Sequence, residues 1–64
     1  MSVGRNIRRL RQKNGLTQEW VAKKLGVTCQ CVSKWENGTS APDIERLPGI
    51  AALFGVSIDE LFTE

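Results

Sequence analysis

Between Cys29 and Asn37 the chain concentrates side chains that can hydrogen-bond an extended polar partner: the amides of Gln30 and Asn37, the Ser33 hydroxyl, the Lys34 ammonium and the Cys29 thiol. On a helix advancing about 100° per residue, with Cys29 at zero, Ser33 falls near 40°, Asn37 near 80°, Gln30 near 100° and Lys34 near 140°. These five share one face. Cys31, Trp35 and Val32 fall near about 200°, 240° and 300°, so the opposite side is apolar. An amide pairs bidentately with the edge of adenine and an ammonium donates to the acceptors of guanine, so such a face fits the major groove of duplex DNA. A solvated polar face would carry similar residues, and position in the chain has to separate the two readings.

Other chemistries fare worse. A Cys-x-Cys pair suggests metal binding, but Cys29 and Cys31 would point about 160–200° apart on a helix. The chain has no histidine and no second cysteine pair to complete four ligands, so no metal site is expected. Cys29 is read either as an oxidation-sensitive thiol or as an incidental small residue, and Cys31 as a core thiol. The absence of histidine, of a glycine-rich phosphate loop and of a carboxylate pair in an evident pocket argues against an enzyme. No cofactor or small-molecule ligand is expected.

Five short helices are expected to position the Cys29–Asn37 face. Val3, Ile7, Leu10 and Asn14 recur at helical spacing in the first, which Gly15 stops. Thr17 is an N-cap for the second, with Glu19 in its first turn, Val21, Ala22 and Leu25 as its inward stripe and Gly26 as its end. Thr28 caps the third, and Gly38 follows it. Only Gly26-Val27-Thr28 separates the second helix from the third, which is the spacing of a helix-turn-helix unit. Ile44–Arg46 is expected to form a single turn. A residue before proline disfavours the α region, so Leu47 is expected to precede a fourth helix with Pro48 at its first position and Phe54 near its end. Ser57 and Glu60 form a capping box that should start a fifth helix carrying Leu61 and Phe62.

The fold class expected is therefore all-α, a single domain over residues 1–64. A chain of 64 residues and 7.1 kDa leaves little room for a multi-part catalytic pocket. No apolar run approaches the roughly 20 residues of a membrane span and no secretory signal is evident, so a cytoplasmic protein without membrane association is expected. The formal net charge of +2 hides a strong asymmetry. Residues 1–34 hold eight Lys/Arg and one acid, whereas residues 35–64 hold one arginine and six acids. A segregated basic surface is the electrostatic footprint of a polyanion partner.

The run Leu16-Thr17-Gln18-Glu19, Val21-Ala22, Leu25-Gly26-Val27-Thr28, then Gln30 and Val32-Ser33-Lys34-Trp35-Glu36-Asn37-Gly38, closely resembles the phage-repressor (Cro/cI-like, xenobiotic-response-element) helix-turn-helix family. Pro42-Asp43-Ile44 and the stretch Leu53-Phe54-Gly55-Val56-Ser57-Ile58-Asp59-Glu60-Leu61 extend the resemblance over nearly the whole chain. It implies a compact five-helix, lambda-repressor-like domain whose second and third helices form the motif. It also implies a sequence-specific regulator of transcription binding double-stranded DNA, with a repressor as the favoured reading, although these residues do not distinguish repression from activation. On matching positions Cys29, Gln30, Ser33 and Lys34 inherit the base-facing role, and Thr17, Gln18, Thr28 and Asn37 inherit phosphate contacts. Arg11 and Glu36 match an ion pair bridging the first helix to the end of the third.

Three departures from the family pattern bear on function. Cys29 stands where a longer polar side chain is usual, so it either reads a base or supplies only a snug apolar contact. Trp20 stands where a polar surface residue is common, and it either marks a partner surface or packs on a neighbouring helix. The loop after Gly38 lacks basic residues, which implies modest affinity for one domain. Related domains bind as dimers on two half-sites, so a homodimer on a palindromic operator is expected. The competing reading is an antitoxin-like or regulatory protein-interaction module that uses Ile58, Leu61 and Phe62.

Overall fold

Two threonines decide where the central helices begin. The Thr17 hydroxyl accepts the backbone N–H of Trp20 at 3.0 Å, and the Thr28 hydroxyl accepts that of Cys31 at 3.1 Å. Each satisfies one of the amides that a helix start leaves without a partner. In the computed structural model, which describes residues 3–63, these caps open α2 (Gln18–Leu25) and α3 (Cys29–Asn37), preceded by α1 (Val3–Lys13) and followed by α4 (Leu47–Phe54). Gly26 ends α2 with φ +71°, and Gly38 ends α3 with φ +83°, left-handed conformations that glycine adopts without a Cβ penalty. All the regular structure among the described residues is helical.

Two expectations are corrected. The fifth helix is a three-residue 3-10 turn, Asp59–Leu61, so the described residues hold four α-helices and two 3-10 turns. The capping box does form: the Ser57 N–H donates to Glu60 Oε1 at 3.2 Å, and the Glu60 N–H donates to Ser57 Oγ at 3.3 Å. It closes one turn because burial of Leu61, with no accessible surface, is achieved in that turn alone, while Ile58 and Phe62 on either side stay outside the core. Likewise Leu47 does not precede α4 but opens it, in the right-handed helical region at φ −59°, with Pro48 second. The local bias against α before proline is outweighed by burial, which leaves Leu47 only 8% exposed. The 3-10 turn Ile44–Arg46 runs directly into it.

The core is built from one stripe of each helix: Ile7 and Leu10 of α1, Val21 and Ala22 of α2, Val32 and Trp35 of α3, and Leu47, Ile50 and Ala51 of α4, closed by Leu61. Through this core α3 packs against both α1 and α2. Gly4 sets how closely α1 approaches α3, because a Cβ built there would stand 1.6 Å from the Trp35 carbonyl oxygen. Asn6 is the buried polar residue of the core, and its amide donates to the Leu61 carbonyl at 2.6 Å, tying the C-terminal turn to α1.

Candidate nucleic-acid interface

With Val32 fully buried and Trp35 3% exposed, α3 is anchored from behind. Its other side is open: Cys29, Gln30, Lys34 and Asn37 are exposed and Ser33 is half-buried. The structure thus places the four candidate base-reading side chains, Cys29, Gln30, Ser33 and Lys34, on the accessible side of one helix. The cap at Thr28 and the packing of Val32 and Trp35 hold in place the helix backbone that carries them.

The residues suggested for backbone contacts divide by what already occupies them. Thr17 and Thr28 spend a hydroxyl lone pair on their helix caps while remaining exposed. Asn37 Oδ1 accepts both the N–H and the hydroxyl of Thr39, at 3.0 and 2.5 Å. This turns the Asn37 side-chain carbonyl toward the loop after α3 and leaves its NH2 group without a hydrogen bond to the described residues. Gln18, the first residue of α2, donates from Nε2 to Glu36 Oε1 at 3.0 Å, and the Cys29 thiol lies 4.0 Å from Gln18 Oε1. That contact sets which way the Gln18 amide points and leaves one Nε2 hydrogen for another acceptor.

Glu36 is the hub of this arrangement. Its side chain is only 4% exposed, and the Arg11 side chain 14%. Arg11 Nε donates to Glu36 Oε2 at 2.7 Å and Nη2 to Oε1 at 3.0 Å, a two-pronged pair, while Nη1 donates to the Leu16 carbonyl at 2.9 Å. The hydrogen bonds to Glu36 raise the Arg11 guanidinium further above its already high pKa, and burial opposes them. The network ties α1, the α1–α2 turn, α2 and α3 together at one edge of the α3 face. Beside it lies a polar cleft of about 180 Å³ lined by Arg8, Arg11, Gln18, Ser33, Glu36 and Asn37.

Sequence reasoning missed several members of this scaffold. Asn6 lies about 40° from Leu10 on the helical wheel of α1, so a polar residue in the apolar stripe was the available signal. Gly4, about 60° from Ile7, similarly marked a close helix approach on the buried side. The Gln18–Glu36 bond and the bond from Arg46 Nη1 to the Leu25 carbonyl, 3.1 Å, join residues with no shared local pattern. Trp20 is 39% exposed, with Lys24 Nζ 5.4 Å from its ring centroid, so it is partly covered by its own helix. Both cysteines are free thiols, Cys29 exposed and Cys31 half-buried. No helix among the described residues is long and apolar enough to cross a membrane.

Comparison with known proteins agrees with this geometry. The helix-turn-helix family model matches residues 7–61. The chain is 40% identical over 63 residues to the HTH-type transcriptional activator BcrR of Enterococcus faecalis, covering 98% of this chain and 31% of that protein. It is 43% identical over 61 residues to an uncharacterised HTH-type transcriptional regulator of Sinorhizobium fredii, covering 95% of this chain and 79% of the relative. Among solved structures, a transcriptional regulator from Listeria innocua superposes with a TM-score of 0.87 at 37% identity, over 94% of this chain and 56% of that one. The chain thus spans from about a third to about four fifths of these proteins. With α2 and α3 joined by a three-residue turn, α3 open on its polar side and these matches along nearly its whole length, the chain belongs to the Cro/cI-like (XRE) helix-turn-helix family of transcriptional regulators.

Proposed function

We propose that the chain is the sequence-specific DNA-binding domain of a cytoplasmic transcriptional regulator, with α3 lying in the major groove. The observation that carries this reading is the outward face of α3, with Gln30 and Lys34 unobstructed and Ser33 and Cys29 small enough to let the helix approach closely. Gln30 and Lys34 read bases, and Ser33 and Cys29 make close contacts with the groove floor. Gln18, held by Glu36, Asn37, and the N-cap residues Thr17 and Thr28 bond the phosphates and set the register. The sign of regulation follows from where the operator lies relative to the promoter; an operator overlapping it makes the regulator the repressor that the family resemblance implies.

Two copies bind together. Ile58 and Phe62, 40% and 42% exposed, flank the buried Leu61 and offer an apolar surface for self-association. A symmetric dimer would set two α3 helices on half-sites about one helical turn, roughly 34 Å, apart.

Selection of bound sequences from a random duplex pool tests the reading. A recovered palindrome, bound with a steep loss of affinity as salt rises, is the expected result. Recovery of no preferred sequence, with no salt dependence, would leave the chain as a protein-interaction module instead. On the selected duplex, Gln30→Ala is expected to reduce discrimination by about 1–3 kcal/mol, while Gln18→Ala weakens selected and random duplexes alike. Equal losses from both variants on every duplex would overturn these roles.

A further inference from the structure

We propose that Arg8 binds a DNA phosphate and carries the interface from α3 onto α1. This rests on the DNA-binding reading above and adds a contact from a helix that the reading leaves out.

Four of the chain's nine Lys and Arg side chains are engaged as follows. Arg11 is held by Glu36, Arg9 donates to Asn6 Oδ1 at 3.3 Å, Arg46 donates to the Leu25 carbonyl and Lys24 covers Trp20. Arg8 is exposed and makes no hydrogen bond or ion pair with any described residue. It nevertheless borders the polar cleft of about 180 Å³ that Gln18, Ser33 and Asn37 line together with the paired Arg11 and Glu36. A guanidinium among neutral donors is the chemistry of an anion seat.

The cleft contains one carboxylate, and it is not available to Arg8. Glu36 Oε2 is taken by Arg11 Nε, and Oε1 by Arg11 Nη2 and Gln18 Nε2. Arg11 cancels its charge, so Arg8 remains as the uncompensated charge of the cleft. Ser33 and Asn37 bring the cleft onto α3 itself, and a sugar–phosphate strand bordering a groove must run beside that helix once it lies in the groove. A phosphodiester is the anion brought there by α3 itself. The spare Nε2 hydrogen of Gln18 and the NH2 of Asn37 share the same strand with Arg8.

The test compares the wild-type chain with Arg8→Ala and Lys13→Ala on the selected duplex and on random duplex. Lys13 is exposed at the end of α1 and is not a wall of the cleft, so it reports the general effect of losing one positive charge. Loss of one phosphate contact per half-site is expected to flatten the slope of log K against log salt in Arg8→Ala by about 0.9 for each bound copy, about 1.8 for two copies on one duplex, with little change in Lys13→Ala. The ratio of selected to random affinity should stay as in the wild type, because a phosphate contact carries no sequence information. Duplexes carrying a single neutral methylphosphonate, moved along each strand, then locate the contact. At one position per half-site the substitution should weaken the wild type and leave Arg8→Ala unaffected.

Equal slopes for Arg8→Ala and Lys13→Ala would overturn the proposal, as would methylphosphonate losses that are the same in wild type and Arg8→Ala at every position. Absence of salt-dependent duplex binding by the wild type would instead remove the DNA-binding reading, and Arg8 with it. Both variants replace exposed side chains, and unchanged helical circular dichroism verifies that the fold is intact.

Discussion

The α-carbon of Gly4 faces the Trp35 carbonyl so closely that a Cβ would stand 1.6 Å from its oxygen and 2.5 Å from its carbon. Both atoms belong to backbone, which cannot rotate away as the end of a side chain can. Alanine at position 4 must therefore push α1 off α3. Intrinsic helix propensity alone favours alanine over glycine by about 1 kcal/mol, whereas overpacking costs about 1–3 kcal/mol, so Gly4→Ala is expected to be destabilising. Gly49, exposed in α4 with nothing within 4 Å of a built Cβ, is the control: Gly49→Ala should stabilise by about 0.5–1 kcal/mol. Urea unfolding of the two variants measures both signs, and stabilisation by Gly4→Ala would show that the helix contact is looser than described.

Removing either partner of the Arg11–Glu36 pair leaves a nearly buried charge facing no counter-charge. Arg11→Ala and Glu36→Ala are each expected to lose about 3–5 kcal/mol. A domain this small has roughly that much stability in total, so the single variants should be largely unfolded at room temperature. The double variant Arg11→Met, Glu36→Leu removes both charges and keeps apolar volume, and it should recover most of the loss. Chemical denaturation of all three gives the coupling energy. Single losses below about 1 kcal/mol would assign the pair the small worth of an exposed ion pair.

Asn6 holds the C-terminal turn through its 2.6 Å bond to the Leu61 carbonyl. Asn6→Ala leaves that carbonyl without its partner and should cost about 1–3 kcal/mol. Hydrogen exchange should show faster exchange concentrated in residues 57–62, since α2 and α3 keep their own caps. Uniform acceleration over the whole chain would instead mark Asn6 as part of the global core.

Thiol chemistry gives a check on the α3 face. Cys29 is exposed and Cys31 half-buried, so N-ethylmaleimide should label Cys29 first. The adduct adds bulk to the side of α3 that meets the groove, so labelled protein should lose duplex binding, and Cys29→Ser should bind and resist the reagent. Retention of full affinity after stoichiometric labelling of Cys29 would place that residue away from the DNA.

Local chemistry was enough to locate the helix-turn-helix. Thr17 and Thr28 cap, Gly26 and Gly38 terminate, and the phase of Val32 and Trp35 against Gln30 and Lys34 separates buried from open sides, all within a few residues of one another. Such signals are legible in sequence because the hydrogen bonds and periodicities that produce them are short-range. The sequence alone also determined the outward face of α3 and the charge asymmetry along the chain.

Tertiary structure decided the rest. Leu47 is helical against its local preference because burial outweighs the bias imposed by Pro48, and the capping box at Ser57 closes only a 3-10 turn because Leu61 is buried within it. The Gln18–Glu36 bond spans 18 residues and the Asn6–Leu61 bond 55. The gathering of Arg8, Gln18, Ser33 and Asn37 around one cleft similarly joins three helices. Contacts of this kind depend on how helices approach one another, and that approach is set by volumes and vacancies, such as the missing side chain at Gly4, that no local pattern encodes.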